Sequence, residues 1–183
     1  SDVYKRQEFT DRLRPGAEET VRRILASGRR VLLLSGDAAP VVADIAARLG
    51  IADWRAGVTP AEKAEAVQTL TAQGGRVLMV GDGLNDTAAL SAAHVSISPA
   101  SALDAARVAS DIVTLGSDLS PVAEALGVAR AATRRIRENF AISILYNIVA
   151  VPFAIAGFAT PLMAALAMSL SSISVTLNAL RLR

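Results

Sequence analysis

The residues best suited to chemistry are concentrated in one short loop, Gly81-Asp82-Gly83-Leu84-Asn85-Asp86, between an apolar run and a helix-forming segment. Gly81 and Gly83 are expected to let the backbone turn tightly. Hard cations such as Mg²⁺ take oxygen ligands, and strand ends beside a helix start suit magnesium and phosphate. Asp82 and Asp86 are therefore predicted magnesium ligands. The alternative is an ordinary turn in which Asp86 only caps the helix.

A second candidate is Ser35, which follows the apolar run 31–34 and opens the sequence Ser35-Gly36-Asp37. A continuous apolar run of this length predicts a buried parallel strand. Ser35 would then lie at the C-terminal tip of the strand, where its hydroxyl is free to bond a phosphate oxygen. The alternative is a local turn stabilised by the serine side chain.

A third candidate is Lys63, in the first turn of a helix that opens at Thr59-Pro60-Ala61-Glu62. Thr59 as N-cap, Pro60 at the first helical position and Glu62 at the third predict a capping box. A cation is unfavourable at this end of the helix dipole, so Lys63 is expected to meet an anion. The alternative is a solvated surface lysine.

Strands and helices alternate through the first two thirds of the chain. Apolar periodicity and turn residues predict helices at 17–27, 40–49, 59–73, 87–93 and 102–109, and strands at 31–34, 51–57, 77–80, 94–97 and 112–115. This order predicts an α/β fold with a parallel sheet and right-handed crossovers. We assign no role to His94, the only histidine.

The composition excludes several classes of protein. Of the 183 residues, 52% are hydrophobic, and the net charge is only +2. The arginines are spread along the chain, so no nucleic-acid partner is expected. Cysteine is absent from the sequence, which excludes disulfides and thiolate metal sites within it.

The charged residues stop abruptly, since none occurs between positions 140 and 180. Residues 140–158 and 162–180 are each long enough to span a bilayer. Arginines flank the two outer ends and are missing from the turn, which predicts a transmembrane hairpin with both outer ends in the cytoplasm. The alternative is a pair of buried core helices.

Polar side chains inside these two spans need an explanation, because they are costly in a membrane. Tyr146 and Asn147 lie in the first span, and Met168 and Ser172 share one face of the second. A thioether beside oxygen and amide groups suits a soft ion such as Cu(I). The alternative, favoured by spacing alone, is packing between membrane helices.

Taken together, these motifs resemble the phosphorylation domain of P-type ATPases, which has the haloacid-dehalogenase-like (Rossmann-like) fold. Three segments resemble the last two membrane helices of copper-transporting heavy-metal ATPases: Tyr146-Asn147, Met168-Ser169-x-Ser171-Ser172 and the ending 178–182. The segment 94–101, which lacks glycine, resembles the subgroup that supplies copper for cytochrome oxidase assembly.

The resemblance implies a role for each matching residue. Ser35 would bond the transferred phosphoryl group, Lys63 would neutralise it, and Asp82 would bind Mg²⁺. The remaining matches to the phosphoryl and nucleotide site are Gly36, Gly83, Asn85 and Asp86, and those to the copper path are Tyr146, Asn147, Met168 and Ser172. The implied reaction is ATP-driven translocation of Cu⁺. The resemblance implies that zinc and cadmium relatives carry a lysine and an aspartate in these helices, and the two helices of this sequence contain neither.

The resemblance also implies a domain organisation. Residues 1–7 read as a non-native leader, 8–133 as a partial phosphorylation domain and 134–183 as the last two transmembrane helices. The family's DKTGT nucleophile motif, nucleotide-binding domain, actuator domain and Cys-Pro-Cys helix have no counterpart in these 183 residues. We therefore expect a C-terminal fragment that is inactive alone, with a gap where the nucleophile strand would pair.

The implied surroundings are membrane lipid, a copper ion and a copper chaperone, in a bacterial inner membrane with the phosphorylation domain in the cytoplasm. Two alternatives remain open at this point. One is a membrane-anchored phosphatase of the same superfamily, which would need an upstream nucleophile aspartate. The other is a truncated, non-catalytic membrane protein that binds a partner.

Overall fold

The computed structural model describes residues 13–158 and 160–181, so the predicted leader at 1–7 lies outside the described residues. The chain divides between Ala123 and Glu124 into two compact units. The division falls inside one continuous helix rather than in a linker.

The first unit contains two separate parallel sheets. One pairs β1 (Leu32–Leu34) with β2 (Asp53–Arg55), and the other has the order β3 (Leu78–Val80), β4 (Val95–Pro99), β5 (Ile112–Thr114). Within the described ranges β1 and β3 do not pair with each other. Among the described residues each therefore keeps one edge without a partner strand.

Five helices surround these sheets: α1 (Ala17–Ala26), α2 (Ala39–Leu49), α3 (Pro60–Ala72), α4 (Thr87–Ala92) and α5 (Asp104–Val108). The predicted elements are thus all present, with ends shifted by a few residues. The three-stranded sheet is covered by a small apolar core in which Leu90, Ala102 and Ala106 pack against Met79. This core fixes α4, and with it the loop that follows β3.

The second unit holds most of α6 (Ser120–Ile155) and all of α7 (Pro161–Leu180). Both helices are long and apolar enough to cross a membrane, and neither apolar stretch is buried within the protein. The alternative of soluble core helices is therefore not supported, since such helices would be covered. Thr160 caps α7 by accepting a hydrogen bond from the Met163 amide at 3.3 Å.

Candidate functional site

The central loop connects β3 to α4 through a 3₁₀ turn, Leu84–Asp86. A Cβ added at Gly81 would lie 2.7 Å from the Asp86 Cβ, so only glycine fits there. Gly81 and Gly83 both lie outside the left-handed region, and Gly83 has φ −104°. The predicted role of these glycines is therefore corrected: at Gly81 the requirement is space for Asp86, rather than backbone freedom.

Asp86 is buried and uses its carboxylate within the protein. One oxygen accepts a hydrogen bond from the Lys63 ammonium at 2.8 Å, and the other accepts from the Gly83 amide at 3.3 Å. Asp86 precedes α4 but makes no side-chain cap to it. Asp86 therefore stands at the N-cap position of α4, as the alternative has it, but its side chain bonds Lys63 and Gly83 instead of capping the helix.

Lys63 reaches this loop from the first turn of α3. Its side chain is 13% exposed and that of Asp86 is 12% exposed, so the two form a largely buried ion pair. The alternative of a solvated surface lysine is therefore wrong. The anion that Lys63 meets in the structure is a carboxylate of the protein itself.

The predicted capping box of α3 is present. Thr59 accepts from the Glu62 amide, and the Glu62 carboxylate accepts from the Thr59 amide at 2.7 Å. This backbone hydrogen bond from Thr59, with that of its hydroxyl, lowers the pKa of Glu62 below its ordinary value. The capping box fixes the start of α3, and so it also positions Lys63, which directly follows Glu62.

Ser35 lies at the end of β1, but its hydroxyl is not free. It donates a hydrogen bond to the Asp37 carboxylate at 2.6 Å. The prediction of a free hydroxyl is corrected, because the aspartate two residues on is close enough to accept it. A phosphate oxygen at this position would have to replace Asp37 as the acceptor.

Backbone contacts bring the three sequence motifs to the same end of the unit. The Val58 amide donates to the Ser35 carbonyl at 3.0 Å, and the Gly57 amide donates to the Asp37 carbonyl at 2.9 Å. Since Val58 directly precedes the Thr59 cap, the Ser35 loop is tied to the start of α3. Lys63 then ties that helix to Asp86. Gly36, in the loop after β1, and Asn85, in the loop after β3, are both exposed.

Asp82 has a partner that the sequence analysis did not identify. The Arg14 guanidinium forms an ion pair with its carboxylate and also donates to the Ser101 hydroxyl at 3.1 Å. Arg14 and Asp82 are 68 positions apart and do not belong to a common sequence motif. Only the tertiary structure could reveal this contact.

The loop suits a hard divalent cation at Asp82. Its side chain is 47% exposed, whereas both oxygens of Asp86 are engaged inside the protein; the guanidinium of Arg14 that pairs with Asp82 would compete with a cation there. No group of three or more acidic or histidine side chains forms a ready-made metal cage among residues 13–158 and 160–181. A cation held here by Asp82 would therefore keep several waters or substrate oxygens, as Mg²⁺ commonly does.

The predicted ion-path residues are distributed along α6 and α7 without mutual hydrogen bonds in the described part of the second unit. The Asn147 amide donates to the Ser143 carbonyl of its own helix at 2.9 Å, and Met168 is 70% exposed. Tyr146 is half-buried and Ser172 is exposed. The assignment of these four residues to a copper path stays a prediction.

A polar cluster joins the middle of α6, just before its uncharged stretch, to the C-terminal end of α7, and we name it the helix clasp. Its members are Arg135, Glu138, Asn139 and Asn178. The Asn178 amide donates to Asn139 at 2.8 Å and to Glu138 at 3.3 Å, and Arg135 donates to Glu138 at 2.7 Å. At Asn178, packing between helices is thus the explanation for a polar side chain in an apolar span.

The contribution of the helix clasp to stability is expected to depend on pH. The hydrogen bond from Arg135 lowers the pKa of Glu138 below its ordinary 4.5. Ionised Glu138 therefore contributes stability that is present above pH 4.5 and is lost as the pH falls through the lowered pKa. Glu138→Gln should lower the melting temperature of the chain in detergent micelles at neutral pH, and the difference from wild type should vanish in acid.

The matched control for this experiment is Glu124→Gln, at an exposed position of the same helix. It removes the same charge away from the helix clasp and should change the melting temperature equally little at both pH values. A difference between wild type and Glu138→Gln that persists unchanged at about pH 3 would contradict the prediction.

Comparison with known protein families identifies one matching model. A haloacid dehalogenase-like hydrolase family matches residues 2–94. Among curated proteins, the nitrogen fixation protein FixI of Rhizobium leguminosarum bv. viciae is 53% identical over 95% of this chain and 23% of its own length. A copper-transporting ATPase of Helicobacter felis is 38% identical over 96% of this chain and 25% of its own.

Solved structures give the same relationship. A zinc-transporting PIB-type ATPase in its E2·Pi state matches 94% of this chain and 28% of its own, with a TM-score of 0.87 and 32% identity. The catalytic domain of the CPx-ATPase CopB-B matches 55% of this chain with a TM-score of 0.52 and 31% identity. The chain therefore spans about a quarter of the length of the curated relatives it matches.

Proposed function

Because the chain belongs to the haloacid dehalogenase-like hydrolase family and is a homologue of P-type cation-transporting ATPases, we propose that it is part of a protein that uses ATP to move Cu(I) across a membrane. The chain would supply part of the phosphorylation domain and the last two membrane helices. The reaction would pass through an aspartyl phosphate whose aspartate lies outside these 183 residues.

The observation that carries this proposal is the Lys63–Asp86 ion pair in the same loop as the half-exposed carboxylate of Asp82. A fixed ammonium can stabilise negative charge that develops on a transferring phosphoryl group. Asp86 holds that ammonium at the loop, and the capping box fixes the helix that carries it. The Ser35 hydroxyl would add a hydrogen bond after leaving Asp37.

Asp82 is the residue that would hold Mg²⁺, and Asn85 lies in the same loop. A bound Mg²⁺ would screen charge between the nucleophile aspartate outside this chain and the ATP phosphates. The chain's own task is then to keep the Asp82 carboxylate at the end of β3. The Leu103 amide helps by donating to the Asp82 carbonyl at 3.2 Å, which fixes the backbone there.

The choice of Cu(I) rests on the chemistry of the two helices. They offer a thioether, a phenol, an amide and hydroxyls, but no charged group between positions 140 and 180. Such a set favours a soft monovalent ion over Zn²⁺, which is bound through carboxylate, imidazole or thiolate ligands. A copper chaperone would be the natural donor of the ion.

The surrounding charges support a membrane protein whose phosphorylation domain is cytoplasmic, and the membrane we propose is the bacterial inner membrane. Arg134, Arg135 and Arg137 precede the first apolar stretch, and Arg181 follows the second. Positive residues flanking membrane helices are retained on the cytoplasmic side. The chain alone, without a nucleophile aspartate for this reaction, would be inactive.

The test is Cu(I)-stimulated ATP hydrolysis by the full-length protein in membrane vesicles. Met168→Ala should lose at least about tenfold of the stimulation, because a soft ion would lose a thioether ligand. Met163→Ala removes a thioether from the same helix and should retain the stimulation by Cu(I). Stimulation of wild type by Zn²⁺ and not by Cu(I), or equal effects of the two variants, would overturn the copper assignment.

A further inference from the structure

Arg14 occupies the position where a cation at Asp82 would act. Its guanidinium forms an ion pair with the Asp82 carboxylate, donates to the Ser101 hydroxyl at 3.1 Å and to the Ser117 carbonyl at 3.5 Å. One side chain therefore joins three loops at this end of the unit. The Arg14 side chain is 32% exposed, so the pair is partly screened from water.

The backbone around Arg14 is held tightly in place. The Leu119 amide donates to the Pro15 carbonyl at 3.1 Å. Gly16 has φ +74°, and a Cβ added there would lie 2.2 Å from an oxygen of Asp118. Both features press the segment 14–16 against the segment 117–120. The guanidinium therefore approaches Asp82 from a fixed direction.

We propose that Arg14 is an internal competitor for the divalent cation at Asp82. It is a positioning residue that holds the carboxylate in a neutral ion pair, and a cation can bind there only by displacing the guanidinium or lying close to it. A divalent ion and a guanidinium repel each other at such short range. This inference rests on the proposed role of Asp82 as a magnesium ligand.

Removing the guanidinium should therefore strengthen divalent-cation binding. Arg14→Gln keeps a hydrogen-bond donor near Ser101 but removes the charge. The dissociation constant for Mn²⁺ should fall about three- to tenfold, the effect of one screened unit charge on a nearby divalent ion. If Arg14 only supported the loop, the same change would loosen Asp82 and weaken binding.

The experiment measures Mn²⁺ binding to the 183-residue chain in detergent micelles by electron paramagnetic resonance of the free ion. The matched control is Arg22→Gln, which removes the same charge from a guanidinium that is 76% exposed and pairs with Glu19. It should leave the dissociation constant unchanged. Tighter binding in Arg14→Gln alone supports the proposal, and unchanged or weaker binding overturns it.

Asp82→Asn separates failure of this inference from failure of the magnesium site. If Asp82→Asn abolishes the Mn²⁺ binding and Arg14→Gln does not tighten it, only the competitor role is wrong. If Asp82→Asn leaves binding intact, the site itself is wrong and the competitor role falls with it.

A second variant keeps the test decisive if Arg14→Gln loses its circular-dichroism signal. Arg14→Lys keeps the charge but cannot join Asp82, Ser101 and Ser117 with a single forked group. Its weaker hold should tighten Mn²⁺ binding by about twofold, because less of the carboxylate is occupied. Unchanged or weaker binding in this variant would equally overturn the proposal.

Discussion

Asp82→Asn in the full-length protein is expected to lower formation of the phosphorylated protein from ATP at least about a hundredfold. Asparagine has the shape of aspartate but lacks the charge that would bind Mg²⁺ beside the phosphates. The readout is acid-stable incorporation of radioactive phosphate from γ-labelled ATP. Folding should change little, because the ion pair that is lost with Arg14 is a third to a half exposed.

The control for this prediction is Asp104→Asn, which makes the same chemical change at a carboxylate that is 97% exposed in a neighbouring helix. It should phosphorylate at the wild-type rate. Retention of more than about a tenth of wild-type phosphorylation by Asp82→Asn would be too much for a lost metal ligand and would remove Asp82 from the magnesium site.

Lys63→Met is expected to destabilise the first unit by about 2–4 kcal/mol, which is a large part of the stability of a small domain. The change removes the ammonium but leaves the Asp86 carboxylate buried beside Gly83 with one hydrogen bond. The cost comes mainly from that unpaired carboxylate. Urea unfolding in detergent micelles, followed by the fluorescence of Trp54, reports on this unit because Trp54 is the only tryptophan.

Two further variants test the explanation. Arg107→Met breaks the exposed pair with Asp104 and should cost less than about 1 kcal/mol. Combining Lys63→Met with Asp86→Leu removes both charges and should recover part of the loss, because no buried charge is left alone. If Lys63→Met costs no more than Arg107→Met, the pair does not contribute as its burial indicates.

Much of this protein was predictable because the relevant signals are local. The capping box of α3 depends on Thr59 and Glu62, three residues apart, and the structure confirms it. The apolar runs that became β1 and β3, and the two long uncharged helices, are also written in consecutive residues. Local patterns of this kind survive in any fold that buries the same face.

The candidate site was only partly predictable. The sequence identified the carboxylates of the loop, but not that Asp86 would be buried and neutralised by Lys63, 23 positions away. It also predicted a free hydroxyl at Ser35, whereas in the structure this hydroxyl donates a hydrogen bond to the Asp37 carboxylate. Which polar groups pair inside a fold depends on the distances that packing imposes, and spacing along the chain does not contain them.

The sequence by itself determined the elements of this protein, the chemical character of its loop and the membrane-spanning length of its last two helices. Only the tertiary structure decided that Arg14 lies on Asp82, that Gly81 must leave space for Asp86 and that Asn178 closes the helix clasp with Asn139. Secondary structure follows from interactions within one or two turns of chain. These three contacts instead depend on how complete elements pack, which fixes groups that are distant in the sequence at bonding distance.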